Sequence, residues 1–284
     1  MEPRDPILKN ELEEIGAIRI PNFLNEDSLL MITKLYEELE LSDLGKIYSN
    51  VKDRTSEYNY RVDKTFKEIF APAIAKHFLN YQLGGGAFLI KGTGEKSESS
   101  LHQDWNIVDE SKYSSAAIFC PTQDVDEKNG CIQVIAGSHK WFKNIRSFEY
   151  PSPYLTFEQV NKGLVAIPAK AGDAIVFRHN VIHGSKPNLT ESNRVAASMS
   201  IATKNADFLH YKWNGSYFDT IKANSDFFCK VVPSLYSGKK LTEKTIERTP
   251  FDLSKVLDSK DFITRYKKAY TMRWYESIIN KFFD

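Results

Sequence analysis

Little in this 284-residue chain is extreme, and its absences narrow what it can be. It has only three cysteines, Cys120, Cys131 and Cys229, odd in number and far apart. They offer neither a disulfide framework nor a zinc knuckle, and they suit a reducing compartment. Charge of neither sign dominates: 38 Lys and Arg against 37 Asp and Glu leave a formal net charge of +1. No overall field therefore recruits nucleic acid or a membrane surface, and neither is expected as a partner. No uninterrupted apolar run approaches the length of a membrane span. The opening stretch MEPRDPILKNELEE is charged and lacks the apolar segment of a secretory signal, so a cytoplasmic protein is expected. Repeats, low-complexity tracts and obvious linkers are missing too. The length then fits one domain over 1–284, with a hydrophobic share of 42% that suffices for a full core. The glycine run 84–86 and GTGEKS at 92–97 hint at a phosphate loop, but no glycine directly precedes Lys96 and the pattern fails.

What is present has a clear order. GAIRIP, 16–21, reads as a short strand ended by proline, and the stretch from 22 to 40 reads as a helix. Asn25 can cap it, Glu26 and Asp27 suit its first turn, and Leu29, Ile32, Leu35, Tyr36 and Leu39 make one apolar stripe. From about residue 84, short β-type runs alternate with turn residues: AFLIK, AAIFC, CIQVI, LVAIP, AIVF and VAASMSI. That texture predicts an antiparallel sandwich or barrel. A long aromatic insertion at 138–163 is a candidate lid, with Trp141, Phe142 and Tyr154 as apolar walls. Beyond 205 strands are expected to give way to an aromatic, partly helical extension, 206–284. Phe262, Tyr266, Tyr270 and Trp274 lie four apart in it, a packing stripe and not a cofactor box.

The chemistry starts at SLHQDW, where His102 and Asp104 are two apart. Side chains at that spacing share one face of a strand. By itself the pair is either half of a metal site or a chance pairing on a wet sheet edge. His183 follows far downstream in GDAIVFRHNVIHGSKPNLTESNR, and Arg194 eleven residues after it. Two histidines and one carboxylate make the facial triad of non-haem iron(II) oxygenases, which leaves the opposite positions free for a bidentate co-substrate and dioxygen. A 2-oxo acid bound there needs its far carboxylate held, and a planar arginine fork does that well.

At these residues the chain resembles the phytanoyl-CoA dioxygenase family of iron(II)- and 2-oxoglutarate-dependent oxygenases. The resemblance runs from about 15 to 205 and is carried by GAIRIPNFL, LHQDW, NGCIQVIAGSHKW and GDAIVFRHNVIHGSKPNLTESNR, in that order. It implies a mostly β fold with flanking helices, a double-stranded β-helix of the jelly-roll or cupin-like kind. It implies that His102, Asp104 and His183 bind iron(II), that Arg194 grips the distal carboxylate of 2-oxoglutarate, and that Ser185 adds a hydrogen bond. Lys91 is a further candidate at the co-substrate, against the plainer reading of a strand lysine with its head in solvent. The implied reaction consumes 2-oxoglutarate and O2, hydroxylates an unactivated C–H of a small-molecule or carrier- or CoA-tethered substrate, and releases succinate and CO2. Asp104 favours hydroxylation over halogenation, since the family's halogenases replace this carboxylate with a small residue. Ala136 departs from the pattern, where proline usually precedes Gly-Ser-His. The alternatives are a non-catalytic metal-binding scaffold and another metal enzyme on a cupin-like barrel, neither of which needs an arginine placed like Arg194.

The remaining candidates are weaker. His139 is expected to orient its loop. His179 either supports a ligand ring or lines the barrel wall, and His77 and His210 have no supporting context. Lys140, Lys143 and Arg146 read as a solvated basic face, or as an attraction for an anionic substrate.

Overall fold

The computed structural model describes residues 1–40, 45–53, 55–141, 144–147, 160, 164–233, 244–250 and 264. The chain begins with β1 (Glu2–Pro3), α1 (Pro6–Glu14), β2 (Ala17–Ile20), α2 (Glu26–Glu37), β3 (Ile47–Tyr48), α3 (Asn50–Asp53) and α4 (Ser56–His77). Strands β4 (Phe78–Leu79), β5 (Tyr81–Lys91), β6 (Ser99–His102), β7 (Ser115–Pro121), β8 (Ile132–Ile135) and β9 (Leu164–Ile167) follow. Then come β10 (Ala174–Arg178), β11 (His183–Ser185), β12 (Arg194–Thr203), β13 (Phe208–Trp213), β14 (Tyr217–Ala223), α5 (Phe227–Lys230) and β15 (Thr245–Pro250). Among the described residues, no helix is long and apolar enough to cross a membrane.

A six-stranded antiparallel sheet in the order β2-β10-β7-β12-β5-β3 faces a four-stranded one in the order β6-β11-β8-β9. These are the two sheets of a double-stranded β-helix. Strand residues alternate between two buried environments, which is why their runs read as nearly continuous apolar text. Ala117, Phe119, Ile175, Phe177 and Ala196 face inward and meet Ile132 and Val134 of the smaller sheet. Their neighbours Ile118, Cys120, Val176, Val195 and Ala197 face outward, against the helices.

The helices cover that outer face as their patterns require. Asn25 caps α2 by accepting from the Ser28 N–H at 2.9 Å, and Ile32 and Leu35 are buried. The longest helix among the described residues, α4, lies outside the elements read from the sequence. Its stripe of Val62, Phe66, Ile69, Phe70 and Ile74 is buried, despite Pro72 within it. Phe66 is fully buried, its ring 4.9 Å from Phe88 of β5 and 6.0 Å from Phe70. Phe66→Ala is therefore expected to cost about 3–5 kcal/mol of folding stability. Urea unfolding measures this, and a loss below about 1 kcal/mol would show that the helix–sheet contact contributes little.

The expectation that strands end near residue 205 is corrected. β13, β14 and β15 form a three-stranded antiparallel sheet, in register from Phe208↔Ala223 to Trp213↔Phe218 and on to Tyr217↔Pro250. FLHYKW and YFDTIKA alternate as strands do, but charges and short length disguise the pattern. Phe262, Tyr266, Tyr270 and Trp274 lie outside the described residues, as do Phe142 and Tyr154 of the proposed lid. Trp141 packs beside Leu101, Ile135, Val160 and Ile182 on the far face of the smaller sheet.

Candidate metal centre

β6 and β11 pair antiparallel with His183 directly opposite His102. Cross-strand partners project to the same face, so this register brings two imidazoles from distant parts of the chain side by side, ring centroids 4.4 Å apart. The His102 Nδ1 meets the Ser100 carbonyl at 2.7 Å, and the His183 Nδ1 meets the Val181 carbonyl at 3.1 Å. A carbonyl only accepts, so each Nδ1 carries the proton and donates, which leaves each Nε2 lone pair to serve as a ligand. Phe177 lies against the His183 ring, centroids 4.5 Å apart, and helps to fix its plane.

Asp104 completes the group. Its Oδ1 is 3.7 Å from His102 Nε2 and 3.8 Å from His183 Nε2, beyond hydrogen-bonding range. One ligand atom from each of the three residues lies within 4.8 Å of the others. The His183 side chain is buried, whereas His102 and Asp104 are 23% and 28% exposed. The cluster thus has one open side. Burial opposes ionisation of Asp104, but the imidazoles around it, His183 foremost, outweigh that and hold its carboxyl well below the usual carboxylate range. Burial pulls His183 down to about 4, against the attraction of Asp104. Burial also opposes a charged His102, yet the nearby Asp104 carboxylate, helped by the Ser100 carbonyl, prevails and raises its pKa. A carboxylate and a neutral imidazole are the forms that bind a metal. The N, N, O donor set fits a divalent iron-type ion.

Arg194 opens β12, paired in register with Lys91 of β5. It is 4% exposed, and its guanidinium lies over the Phe119 ring, 4.9 Å from the centroid. Its Nε and Nη1 have no hydrogen-bond partner, and no carboxylate among the described residues forms an ion pair with it. Burial alone brings its pKa down to about 10. A buried fork with orphaned N–H groups is a costly arrangement unless an anion completes it. Ser185, two residues after His183 on the same strand, is buried and shares its face.

Lys91 requires a correction. It is fully buried, so its head is not in solvent. Its Nζ donates to the carbonyls of Ser97, Ser185 and Lys186. All three N–H groups of the ammonium are taken, and none remains for a co-substrate. Burial, with the Arg194 charge adding to it, pulls the group down to about 7. Lys91 instead ties the start of the β6 segment to the end of β11. Gly130 makes room for it, at φ +78°: a Cβ there would lie 2.5 Å from the Lys186 carbonyl and 2.8 Å from the Lys91 Cδ.

The other histidines are not part of the three-ligand group, although His179 is near enough to help lower the Asp104 carboxyl. His139 is buried, with Nε2 on the Glu13 carbonyl at 3.1 Å. It shares a motif with Ser138, whose Oγ accepts from the Ile182 N–H at 2.8 Å and so steadies the residue before His183. His179 is buried, with Nδ1 on Ser115 Oγ at 2.8 Å, while the partner of the His183 ring is Val181. His210, on β13, packs against Trp105, edge-on with centroids 6.4 Å apart, beside the ligand loop. Nothing in its sequence surroundings announces that role. Arg146 is also corrected: it is buried, not part of a solvated basic face. A cavity of about 310 Å³ lined by Glu13, Glu110, His139 and Arg178 is not lined by the triad.

Residues 12–196 match the family model described as phytanoyl-CoA dioxygenase (PhyH). Dioxygenase olcK of Penicillium canescens is 27% identical over 228 residues, which cover 69% of this chain and 69% of that protein. A phytanoyl-CoA dioxygenase of Arabidopsis thaliana is 32% identical over 122 residues, 40% of this chain and 42% of that protein. Among solved structures, the epimerase SnoN in complex with Fe3+, alpha ketoglutarate and nogalamycin RO superposes with a TM-score of 0.52 at 15% identity, over 70% of this chain and 83% of that one. HygX from Streptomyces hygroscopicus, with nickel and 2-oxoglutarate bound, gives 0.52 at 14% identity, over 71% and 88%. At such identities the structures share the fold. The family match spans both halves of the triad and ends just beyond Arg194, and the chain belongs to the phytanoyl-CoA dioxygenase family of iron(II)- and 2-oxoglutarate-dependent oxygenases.

Proposed function

We propose that this chain hydroxylates an unactivated C–H bond of a small-molecule substrate, free or tethered to a carrier or coenzyme A, converting 2-oxoglutarate and O2 to succinate and CO2. His102, Asp104 and His183 would hold the iron(II), and Arg194, with Ser185 beside it, would hold the distal carboxylate of 2-oxoglutarate. Bound there, iron(II) with 2-oxoglutarate supplies the activation of dioxygen that no side chain can perform. The chain's own work is to present three ligands from one side, to neutralise a dicarboxylate in a buried pocket, and to keep water from the reacting carbon.

The observation that carries this reading is the pairing of a three-ligand cluster having one open side with a buried arginine on the same barrel whose Nε and Nη1 have no hydrogen-bond partner. A scaffold that merely stored a metal would have no use for that arginine. Asp104 supports hydroxylation over halide transfer, because its carboxylate fills the coordination position a halide would need. HygX has also been solved with hygromycin B bound, a small molecule in the same fold.

Two measurements test the proposal. Anaerobic addition of iron(II) and 2-oxoglutarate is expected to give a weak visible charge-transfer band that neither gives alone. Succinate release, screened over acyl-CoA thioesters, amino acids and other metabolites, is expected to rise above the uncoupled rate for one class, with a product heavier by one oxygen. Iron uptake without the band, or turnover whose product has gained no oxygen, would contradict the proposal.

A further inference from the structure

Asp104 lies where no sheet ladder holds it. β6 stops at His102, and residues 103–106 have no regular structure. Gln103 Nε2 donates to the Asn180 carbonyl at 2.5 Å, Trp105 packs edge-on against His210, and the Asp104 main chain is held by a guanidinium. Arg146 donates from Nε to the Asp104 carbonyl at 2.6 Å, from Nη1 to the Asn144 carbonyl at 2.9 Å, and from Nη2 to Glu110 Oε1 at 2.7 Å. The two backbones are also stitched together. The Arg146 N–H donates to Asn106 Oδ1 at 2.6 Å, and the Asn106 N–H donates to the Arg146 carbonyl at 3.3 Å. The loop from 104 to 110 therefore closes around the arginine, which meets the peptide of Asp104 at one end and the carboxylate of Glu110 at the other.

The clamp is buried and braced. The Arg146 and Glu110 side chains are 1% and 6% exposed. The C-terminal sheet closes the loop from outside. The Leu209 N–H donates to the Ile107 carbonyl at 2.9 Å, and Ile145 packs on Leu209, Tyr211 and Phe218. A buried ion pair is a poor device for stability alone, since apolar residues of similar volume often serve as well or better. A planar, pre-organised fork holds a ligand residue's carbonyl and a carboxylate in fixed directions at the same time. A charged donor on that carbonyl is also stronger than a neutral one.

We propose that Arg146 is a positioning residue for Asp104: braced by Glu110, it fixes the Asp104 main chain so that Oδ1 already faces the two Nε2 atoms before an ion arrives. The inference rests on reading the triad as the metal site.

Two variants separate positioning from folding. Arg146→Lys keeps a charge for Glu110 but loses the planar fork that fixes the Asp104 carbonyl and the Glu110 carboxylate in relation to each other. The double variant Arg146→Met with Glu110→Leu removes the charges together and is expected to keep an unfolding temperature near the parent's. Cobalt(II) affinity by calorimetry is read beside the visible cobalt spectrum and the unfolding temperature of the apoprotein. Groups that orient metal ligands are typically worth 10–100-fold in affinity. Each folded variant is expected to lose at least about tenfold in cobalt affinity, with an altered spectrum. The 2-oxoglutarate affinity of the metal-saturated protein, set at Arg194, is expected to stay near the parent's. A smaller loss in either folded variant overturns the inference. So does failure of both variants to fold, because Arg146 would then serve the fold and not the ion. A parent protein that takes up no cobalt overturns the metal-site reading, and the inference with it. Variants that match a binding parent overturn the inference alone.

Discussion

Asp104→Ala is expected to abolish substrate hydroxylation and to weaken metal binding by at least about 100-fold. The scale follows from what surrounds a ligand: groups that only orient one are worth 10–100-fold, and the ligand itself is worth more. Asp104 also supplies the cluster's only negative charge, since its partners are two imidazoles. Without it, a cation meets two imidazoles and no carboxylate on an open side. The fold should tolerate the change. The carboxylate approaches the two Nε2 atoms only to 3.7 and 3.8 Å, so no short hydrogen bond is lost, and the apoprotein is expected to melt within a few degrees of the parent. Iron stoichiometry, succinate release and the apo unfolding temperature, measured together, check this. An iron-loaded and fully active variant would remove Asp104 from the metal.

Arg194→Ala is expected to raise the dissociation constant for 2-oxoglutarate by roughly 100-fold, leaving iron affinity near the parent's. Charge-assisted hydrogen bonds to a buried group are worth about 1.5–3 kcal/mol, and each 1.4 kcal/mol is a factor of ten. In the apoprotein the guanidinium has two unsatisfied nitrogens, so its removal relieves a cost instead of adding one. Arg194→Met, which keeps an apolar body over the Phe119 ring, is therefore expected to melt at the parent's temperature or above it. The two signs together are diagnostic: a residue that weakens the co-substrate when removed, yet does not destabilise the empty fold, is built for a ligand. Unchanged 2-oxoglutarate affinity would take Arg194 out of its proposed role. A large fall in apo stability would show that it holds the fold instead.

These expectations draw on residues that differ in how openly the sequence displays them. The inner strands were legible because both of their faces are buried, so AIVF and VAASMSI read as apolar runs bounded by turns. The helix capped by Asn25 was legible from its cap and stripe. The triad residues stood out because their types, order and spacing have a joint chemical meaning, and the fold brings the three together. Lys91 and Arg146 are buried against the expectation from their sequence for one shared reason. A lysine on a strand and an arginine in a long loop have exposed surroundings by default, and only long-range partners change that. Those of Lys91 include carbonyls 94 and 95 residues away, and the Asp104 carbonyl is 42 residues from Arg146. No local pattern encodes such distances. The sheet of β13 to β15 was missed because its strands mix aromatic and charged residues, a texture that a partly wet sheet shares with a loop. His210 was missed with it, since its role exists only once that sheet lies against Trp105.

The most direct test of the account is a crystal structure grown anaerobically with iron(II) and 2-oxoglutarate, with the iron located by its anomalous scattering. The account predicts one iron at about 2.0–2.2 Å from His102 Nε2, His183 Nε2 and an Asp104 oxygen, with the far carboxylate of 2-oxoglutarate on the Arg194 guanidinium. Iron bound elsewhere, or held without Asp104, or a co-substrate that leaves Arg194 unpaired, would contradict it.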